Sequence, residues 1–183
     1  MRSAIFLERD GILNLAKTNL KHQISPLNLE DFRINQEVVE PLIQLKEFGF
    51  LLIATTNQPG LSRGYQSRRE LDLMHAVLRR SLPLDDILVC PHDEIDRCPC
   101  RKPQPGLFQE AAFKWQLDLE RSYVVSDKWQ DAHAAHLLGC TSLLLKSPWN
   151  GSSHHDFIVT KLGDVAERII QTHAAPVLAM HQI

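Results

Sequence analysis

Five short apolar runs punctuate the chain, and each is followed by a longer amphipathic stretch. The runs read as strands: Ala4–Leu7, Phe50–Thr55, Ile87–Cys90, Ser122–Ser126 and Thr141–Leu145. The amphipathic stretches read as helices: Gln36–Phe48, Ser67–Ser81, Gly106–Gln116, Trp129–Leu138 and Asp164–His173. A strand that is apolar along its whole length is buried on both faces, as in a parallel sheet covered by two helical layers. The spacing therefore predicts an α/β fold with a doubly wound, mainly parallel sheet and helices on both faces. In such open sheets ligands bind beyond the carboxyl ends of the strands. Leu71, Met74, Leu78 and Leu82 recur at helical spacing on one face, and Ser67 followed by Glu70 reads as a capping box. Pro41 makes the first helix irregular early or late to begin. Two long connections, Asn14–Phe32 and Lys146–Val159, are expected to be the variable loops.

At 183 residues and 20.9 kDa the chain is expected to form a single domain spanning 1–183. Hydrophobic residues at 44% and a net charge of −2 give no global pull toward nucleic acid or an anionic membrane. The apolar run at the start meets Glu8 too soon for a signal peptide, and nothing approaches the ~20 apolar residues of a membrane span. The expectation is a cytoplasmic protein whose thiols stay reduced.

Four of the five strands deliver a polar cluster to the same edge. After the first come Glu8 and Asp10; after the second comes "TTNQPG", residues 55–60. The third is followed by "CRKPQPG", residues 100–106, and the fourth by "SDKWQD", residues 126–131. Taken singly, an acid at a strand end is more often a solvated charge, and an Arg-Lys pair an ordinary surface. Taken in order, carboxylates, hydroxyls, amides and adjacent cations make the inventory of a magnesium-assisted phosphoryl site. Mg²⁺ prefers oxygen ligands, and cations offset the charge of a transferring phosphoryl group.

The stretch "CPHDEIDRCPC", residues 90–100, reads C-x-H-x5-C-x-C. Cys90, His92, Cys98 and Cys100 supply the four soft ligands of a closed, structural Zn²⁺ site. A disulfide or plain reduced thiols are the alternatives. A zinc loop there would hold Arg101 and Lys102 toward the phosphate.

These segments resemble the haloacid dehalogenase superfamily of phosphohydrolases, in its small members without a large cap domain. "FLERDGILN" resembles the family's "FLDRDGTIN", "TNQPGLSRG" resembles "TNQSGIARG", "CRKPQPG" resembles "CRKPHPG", and "SDKWQDAHAA" resembles "GDKLEDMQAA". Within the family the D-glycero-D-manno-heptose 1,7-bisphosphate 7-phosphatases are most similar, with the histidinol-phosphate phosphatases close behind; the former also carry a zinc loop. The resemblance implies a hydrolase that releases phosphate from a small phosphosugar; the expectation beside it is a monomer that acts without nucleic acid or membrane. By position, Glu8 would be the nucleophile and Asp10 the general acid and base. Thr56, Asn57, Arg101, Lys102 and Lys128 would bind substrate and phosphate. Glu8, Asp10 through its main-chain oxygen, and Asp127 would hold Mg²⁺, with Lys128 and Asp131 supporting that shell.

Three positions depart from the family: Glu8 for aspartate, Ile12 for threonine and Ser126 for glycine. One extra methylene moves a carboxylate by about 1.5 Å, and a misplacement of ~1 Å costs on the order of a hundredfold in rate. A phosphosugar-binding protein with impaired turnover is therefore the competing expectation. Elsewhere His133, His136, His154 and His155 read as surface residues, Cys140 as a small buried one, and Trp129 as helix packing. Arg63 follows the second cluster and could reach a substrate.

Overall fold

The structure, a computed structural model, describes residues 1–19, 23–151 and 154–179. The strands are β1 (Ala4–Glu8), β2 (Lys17–Thr18), β3 (Gln23–Ile24), β4 (Leu51–Asn57), β5 (Asp86–Cys90), β6 (Tyr123–Ser126), β7 (Thr141–Leu145) and β8 (Phe157–Val159). The helices are α1 (Val39–Glu47), α2 (Arg68–Ser81), α3 (Gly106–Trp115), α4 (Trp129–Leu137) and α5 (Gly163–Ala179). Six strands pair in parallel in the order β5-β4-β1-β6-β7-β8. The strand order reverses at β1: the chain builds outward through β4 and β5, then returns to β1's other side with β6. That switch opens a crevice beyond the carboxyl end of β1, where Glu8 lies.

Burial on both faces explains the unbroken apolar runs. Ile5 and Leu7 of β1 join a core layer with Leu42 and Leu45 of α1, Leu71, Met74 and Leu78 of α2, and Val165 and Ile169 of α5. Ala4 and Phe6 face the opposite layer, with Leu107 and Phe108 of α3 and Ala134 and Ala135 of α4. Phe6 and Phe108 meet edge to face at 4.8 Å, a geometry that suits the ring quadrupoles.

The structure refines several expectations. A short 3-10 turn, Gln36–Val38, precedes α1, so Pro41 falls in the helix's first turn, where its missing N–H has no partner to lose. Ser67 caps α2 by accepting from the Glu70 N–H at 3.1 Å, but the capping box is only half formed. The Glu70 carboxylate instead accepts from the Leu29 N–H at 2.8 Å and pins the connection after β3. The hairpin β2–β3 lies in the expected Asn14–Phe32 loop, and β8 in the expected Lys146–Val159 loop. Strands of two or three residues are too short to show a period in sequence. The parts of those two connections at 20–22 and 152–153 lie outside the described residues.

Candidate active site

The strand register carries the polar clusters to one edge. Glu8 lies opposite Thr55, and Asn57 lies opposite Cys90 at the mouth of the cysteine loop. Asp127 follows directly on Ser126 of β6. After Asp10 the chain turns sharply: the Leu13 and Asn14 N–H groups donate to the Arg9 carbonyl at 2.9 and 3.0 Å. Gly11 takes φ +98°, which favours glycine, and a Cβ there would collide with Gln23 Nε2 and Asp127 Oδ2.

Glu8, Asp10, Lys102, Asp127 and Asp131 are all buried around this point. Glu8 Oε1 accepts from the Arg9 and Asp10 N–H groups at 2.9 and 3.2 Å, and Lys102 Nζ donates to its Oε2. Lys102 Nζ also donates to Asp131 Oδ1 at 2.6 Å and to the Thr55 carbonyl at 3.1 Å. Burial alone would raise the Glu8 carboxyl, but Lys102 and Lys128 outweigh it and hold the group below its usual range. Burial would likewise neutralise Lys102, yet Asp131 and Glu8 keep it charged and raise its pKa. Removing one partner from such a buried ion cluster typically costs about 3–5 kcal/mol, because the rest are left uncompensated. Burial pushes Asp131 up to about 6, opposed by Lys102 and reinforced by Glu8.

Lys128 Nζ donates to the Asp10 main-chain oxygen at 2.5 Å and to Asp127 Oδ1 at 2.9 Å. An ammonium thus stands in for a cation between two of the three groups expected to hold Mg²⁺. The donor set is all oxygen, as a hard divalent ion requires. Four carboxylates (Glu8, Asp10, Asp127, Asp131) face three cations (Arg9, Lys102, Lys128), leaving net negative charge. Asp131 Oδ2 and Gln23 Oε1 are buried acceptors with no donor among the described residues, which the waters of a hydrated ion could supply. The residues present therefore suit Mg²⁺.

The remaining expected residues sit at graded distances from this centre. Thr56 is buried, its Oγ1 accepting from Gln58 Nε2 at 2.8 Å. The Asn57 amide is spent on the Lys102 main chain, donating to its carbonyl at 3.0 Å and accepting from its N–H at 3.1 Å. It braces the lysine instead of pointing freely at a ligand. Arg101 lies outside the buried cluster, donating to the His92 carbonyl and to Glu94 at 3.2 and 3.3 Å. It lines an open cleft with a lobe of about 720 Å³ that Asn57, Lys102 and Trp129 share, and a second of about 740 Å³ that Arg63, Lys128, Trp129 and Trp149 share. Arg63 therefore does face the cleft, paired with Asp93 at 2.5 Å. Trp129 is partly exposed there, a cleft wall and not merely helix packing.

Cys90, His92, Cys98 and Cys100 come together with all four ligand atoms within 4.8 Å of one another. His92 Nδ1 lies 3.3 Å from Cys100 Sγ, and Cys90 and Cys100 Sγ lie 3.6 and 3.5 Å from Cys98 Sγ. Tetrahedral Zn–S bonds of about 2.3 Å put sulfurs roughly 3.8 Å apart, so the cradle fits zinc. The cysteines are free thiols, not a disulfide. Cys140 is buried, and His133, His136 and His154 are exposed, as expected; His155 is half-buried.

Several site residues escape sequence reasoning. Arg9 is fully buried and grips Asp10, donating from Nε to Oδ1 at 2.9 Å and from Nη2 to Oδ2 at 3.0 Å. Burial would raise the Asp10 carboxyl, but the Arg9 guanidinium overrides it and holds it well below the usual range. Gln58 Nε2 donates to Asp10 Oδ2 at 2.9 Å. Gln23 Nε2 donates to Asp127 Oδ2 at 2.9 Å. Ser147 Oγ and Asn150 Nδ2 donate to the Asp127 carbonyl at 2.5 and 3.1 Å, so the start of the supposed variable loop is a clamp on the site. Only Gln58, inside "TTNQPG", carried a local signal.

A family model described as HAD-hydrolase-like matches residues 99–167. The chain is 34% identical over 181 residues to the D-glycero-beta-D-manno-heptose-1,7-bisphosphate 7-phosphatase of Haemophilus ducreyi, spanning 90% of this chain and 96% of that one. It is 36% identical over 134 residues to the corresponding Helicobacter pylori protein, spanning 70% and 74%. The solved D,D-heptose 1,7-bisphosphate phosphatase of B. bronchiseptica, complexed with magnesium and phosphate, superposes with a TM-score of 0.79 at 26% identity, over 93% of this chain and 99% of that one.

Proposed function

Because the chain belongs to the haloacid dehalogenase-like phosphatases, we propose that it hydrolyses a phosphate monoester of a small phosphosugar, namely heptose 1,7-bisphosphate at the 7-phosphate. The observation that carries this is the buried convergence of Glu8, Asp10, Lys102 and Asp127 at the sheet's switch point, beside a cleft lined by cations. Glu8 attacks phosphorus, the bond to the sugar oxygen breaks as Asp10 relays a proton from solvent to that leaving oxygen, and an acyl-phosphate forms on Glu8. Water then cleaves that intermediate while Asp10 takes the water's proton, a role that its ionised state suits. Lys102 orients Glu8 and offsets phosphoryl charge, and Arg101 and Arg63 meet the distal, anionic part of the substrate. Mg²⁺, held by Glu8, the Asp10 main-chain oxygen and Asp127, would neutralise charge on the transferring group. Zn²⁺ in the cysteine loop would be structural, fixing the segment that leads into Arg101 and Lys102.

One observation favours a second reading, a phosphosugar-binding protein with slow turnover. Glu8 Oε1 is occupied by two main-chain N–H groups and Oε2 accepts from Lys102, which leaves one lone-pair direction of Oε2 for attack on phosphorus. The test is phosphate release from a panel that includes heptose 1,7-bisphosphate and histidinol phosphate, with and without Mg²⁺. Metal-dependent release from the heptose substrate supports the first reading. Calorimetric binding without release supports the second, and neither binding nor release sinks both.

A further inference from the structure

Beside Asp10 lies a buried relay that lines neither lobe of the cleft and that the phosphatase chemistry leaves without a role. Arg9 uses two of its nitrogens on the Asp10 carboxylate, and its third, Nη1, lies 3.3 Å from His75 Nε2. The guanidinium also sits over the Phe32 ring, 5.8 Å from its centroid. A guanidinium has donors only, so His75 Nε2 must accept, and the imidazole must be neutral with its proton on Nδ1. Burial, with Arg9 and Arg79 adding repulsion, keeps it so by lowering the imidazole pKa to about 3.

His75 lies on α2 and is buried on the face that also packs Leu71, Met74 and Leu78 into the core. An aliphatic side chain would serve packing there, but would leave a buried Arg9 nitrogen without an acceptor. From the other side Gln58 links Asp10 to Thr56 through its two donor contacts at 2.9 and 2.8 Å. The Asp10 carboxylate is thus gripped from both edges, and the Arg9 edge is anchored by a helix rather than by the site loop.

We propose that His75 is a positioning residue: acting through Arg9, it fixes the plane in which the Asp10 carboxylate meets the substrate. This rests on the phosphatase reading above. It assigns to α2 a task in proton transfer, although α2 contributes no side chain to the cleft. Without the anchor the guanidinium swings and carries the carboxylate with it, and a displacement of about 1 Å is worth on the order of a hundredfold in rate.

The experiment compares the full chain with His75→Leu, which removes the acceptor, and His75→Gln, which retains one. The leucine variant is expected to lose at least tenfold in kcat for phosphate release, with KM within twofold of the parent, and the glutamine variant to recover to within threefold. Parental kcat in the leucine variant, or a glutamine variant equally slow, overturns the proposal while leaving the phosphatase reading intact. A parent that releases no phosphate defeats the phosphatase reading instead. The relay is then judged without turnover, by ¹⁵N NMR of the parent at neutral pH. An unprotonated Nε2 and a protonated Nδ1 on His75 support it; the opposite tautomer, or an imidazolium, overturns it even if the leucine variant fails to fold.

Discussion

Lys128 Nζ lies 2.5 Å from the main-chain oxygen of Asp10, occupying ground that a divalent cation would share. Asp127 Oδ1, 2.9 Å from the same ammonium, completes the overlap. If the Asp10 main-chain oxygen and Asp127 hold Mg²⁺ as proposed, metal entry displaces a tethered cation. Lys128→Met is expected to bind Mg²⁺ at least tenfold more tightly in calorimetry, in the absence of substrate. Unchanged or weaker affinity would show that lysine and metal occupy separate positions.

The Cys90, His92, Cys98 and Cys100 cradle should hold one zinc per chain, measurable by metal analysis of the purified protein. Stripping it with a chelator removes the tie between β5 and the segment that leads into Lys102. A loss of about 3 kcal/mol lowers Tm by roughly 6–12 °C at this chain length. Cys98→Ser should reproduce most of that loss. A chain that carries no zinc, or whose Tm ignores the chelator, contradicts a structural role.

His75 makes stability depend on pH with a definite sign. Its folded pKa of about 3 is below the ordinary value of 6.5, so the unfolded chain binds this proton more readily. The stabilisation from keeping it neutral is present above pH ~6.5 and falls as pH drops toward the folded pKa. Between pH 7 and 5 the loss reaches about 2 kcal/mol for a group so fully buried. Denaturant unfolding of the parent and His75→Gln across that window should show a steeper decline in the parent. Parallel curves would mean that His75 is not held neutral.

Sequence exposed the sheet and the first layer of the site better than what supports them. Unbroken apolar runs such as Ala4–Leu7 announce strands buried on both faces, and their polar ends announce where a site can form. Glu8, Asp10, Lys102, Asp127 and Asp131 do converge, across sequence separations that only the parallel register can close. The supporting contacts stayed hidden because they depend on side-chain direction and tertiary placement. Arg9, between two acids, was given no role from the sequence and is fully buried. His75 looked like part of an amphipathic helix, and Ser147 and Asn150 like turn residues. Asn57 was visible, but that its amide braces Lys102 was not.

Glu8 stands where the resembling motif "FLDRDGTIN" carries aspartate, and its folded-back carboxylate is held by the Arg9 and Asp10 N–H groups. Glu8→Asp shortens the arm by one methylene and should raise kcat for phosphate release by at least tenfold, with Mg²⁺ present. A variant no faster than the parent would mean that the longer arm carries no geometric handicap.

The most direct measurement is kcat/KM for release of the 7-phosphate from heptose 1,7-bisphosphate by the parent and by Asp10→Asn, with Mg²⁺. If the gathered carboxylates and lysines are a phosphatase centre, the parent exceeds the variant by at least a hundredfold. Equal rates in the two proteins, or no release by either, would contradict it.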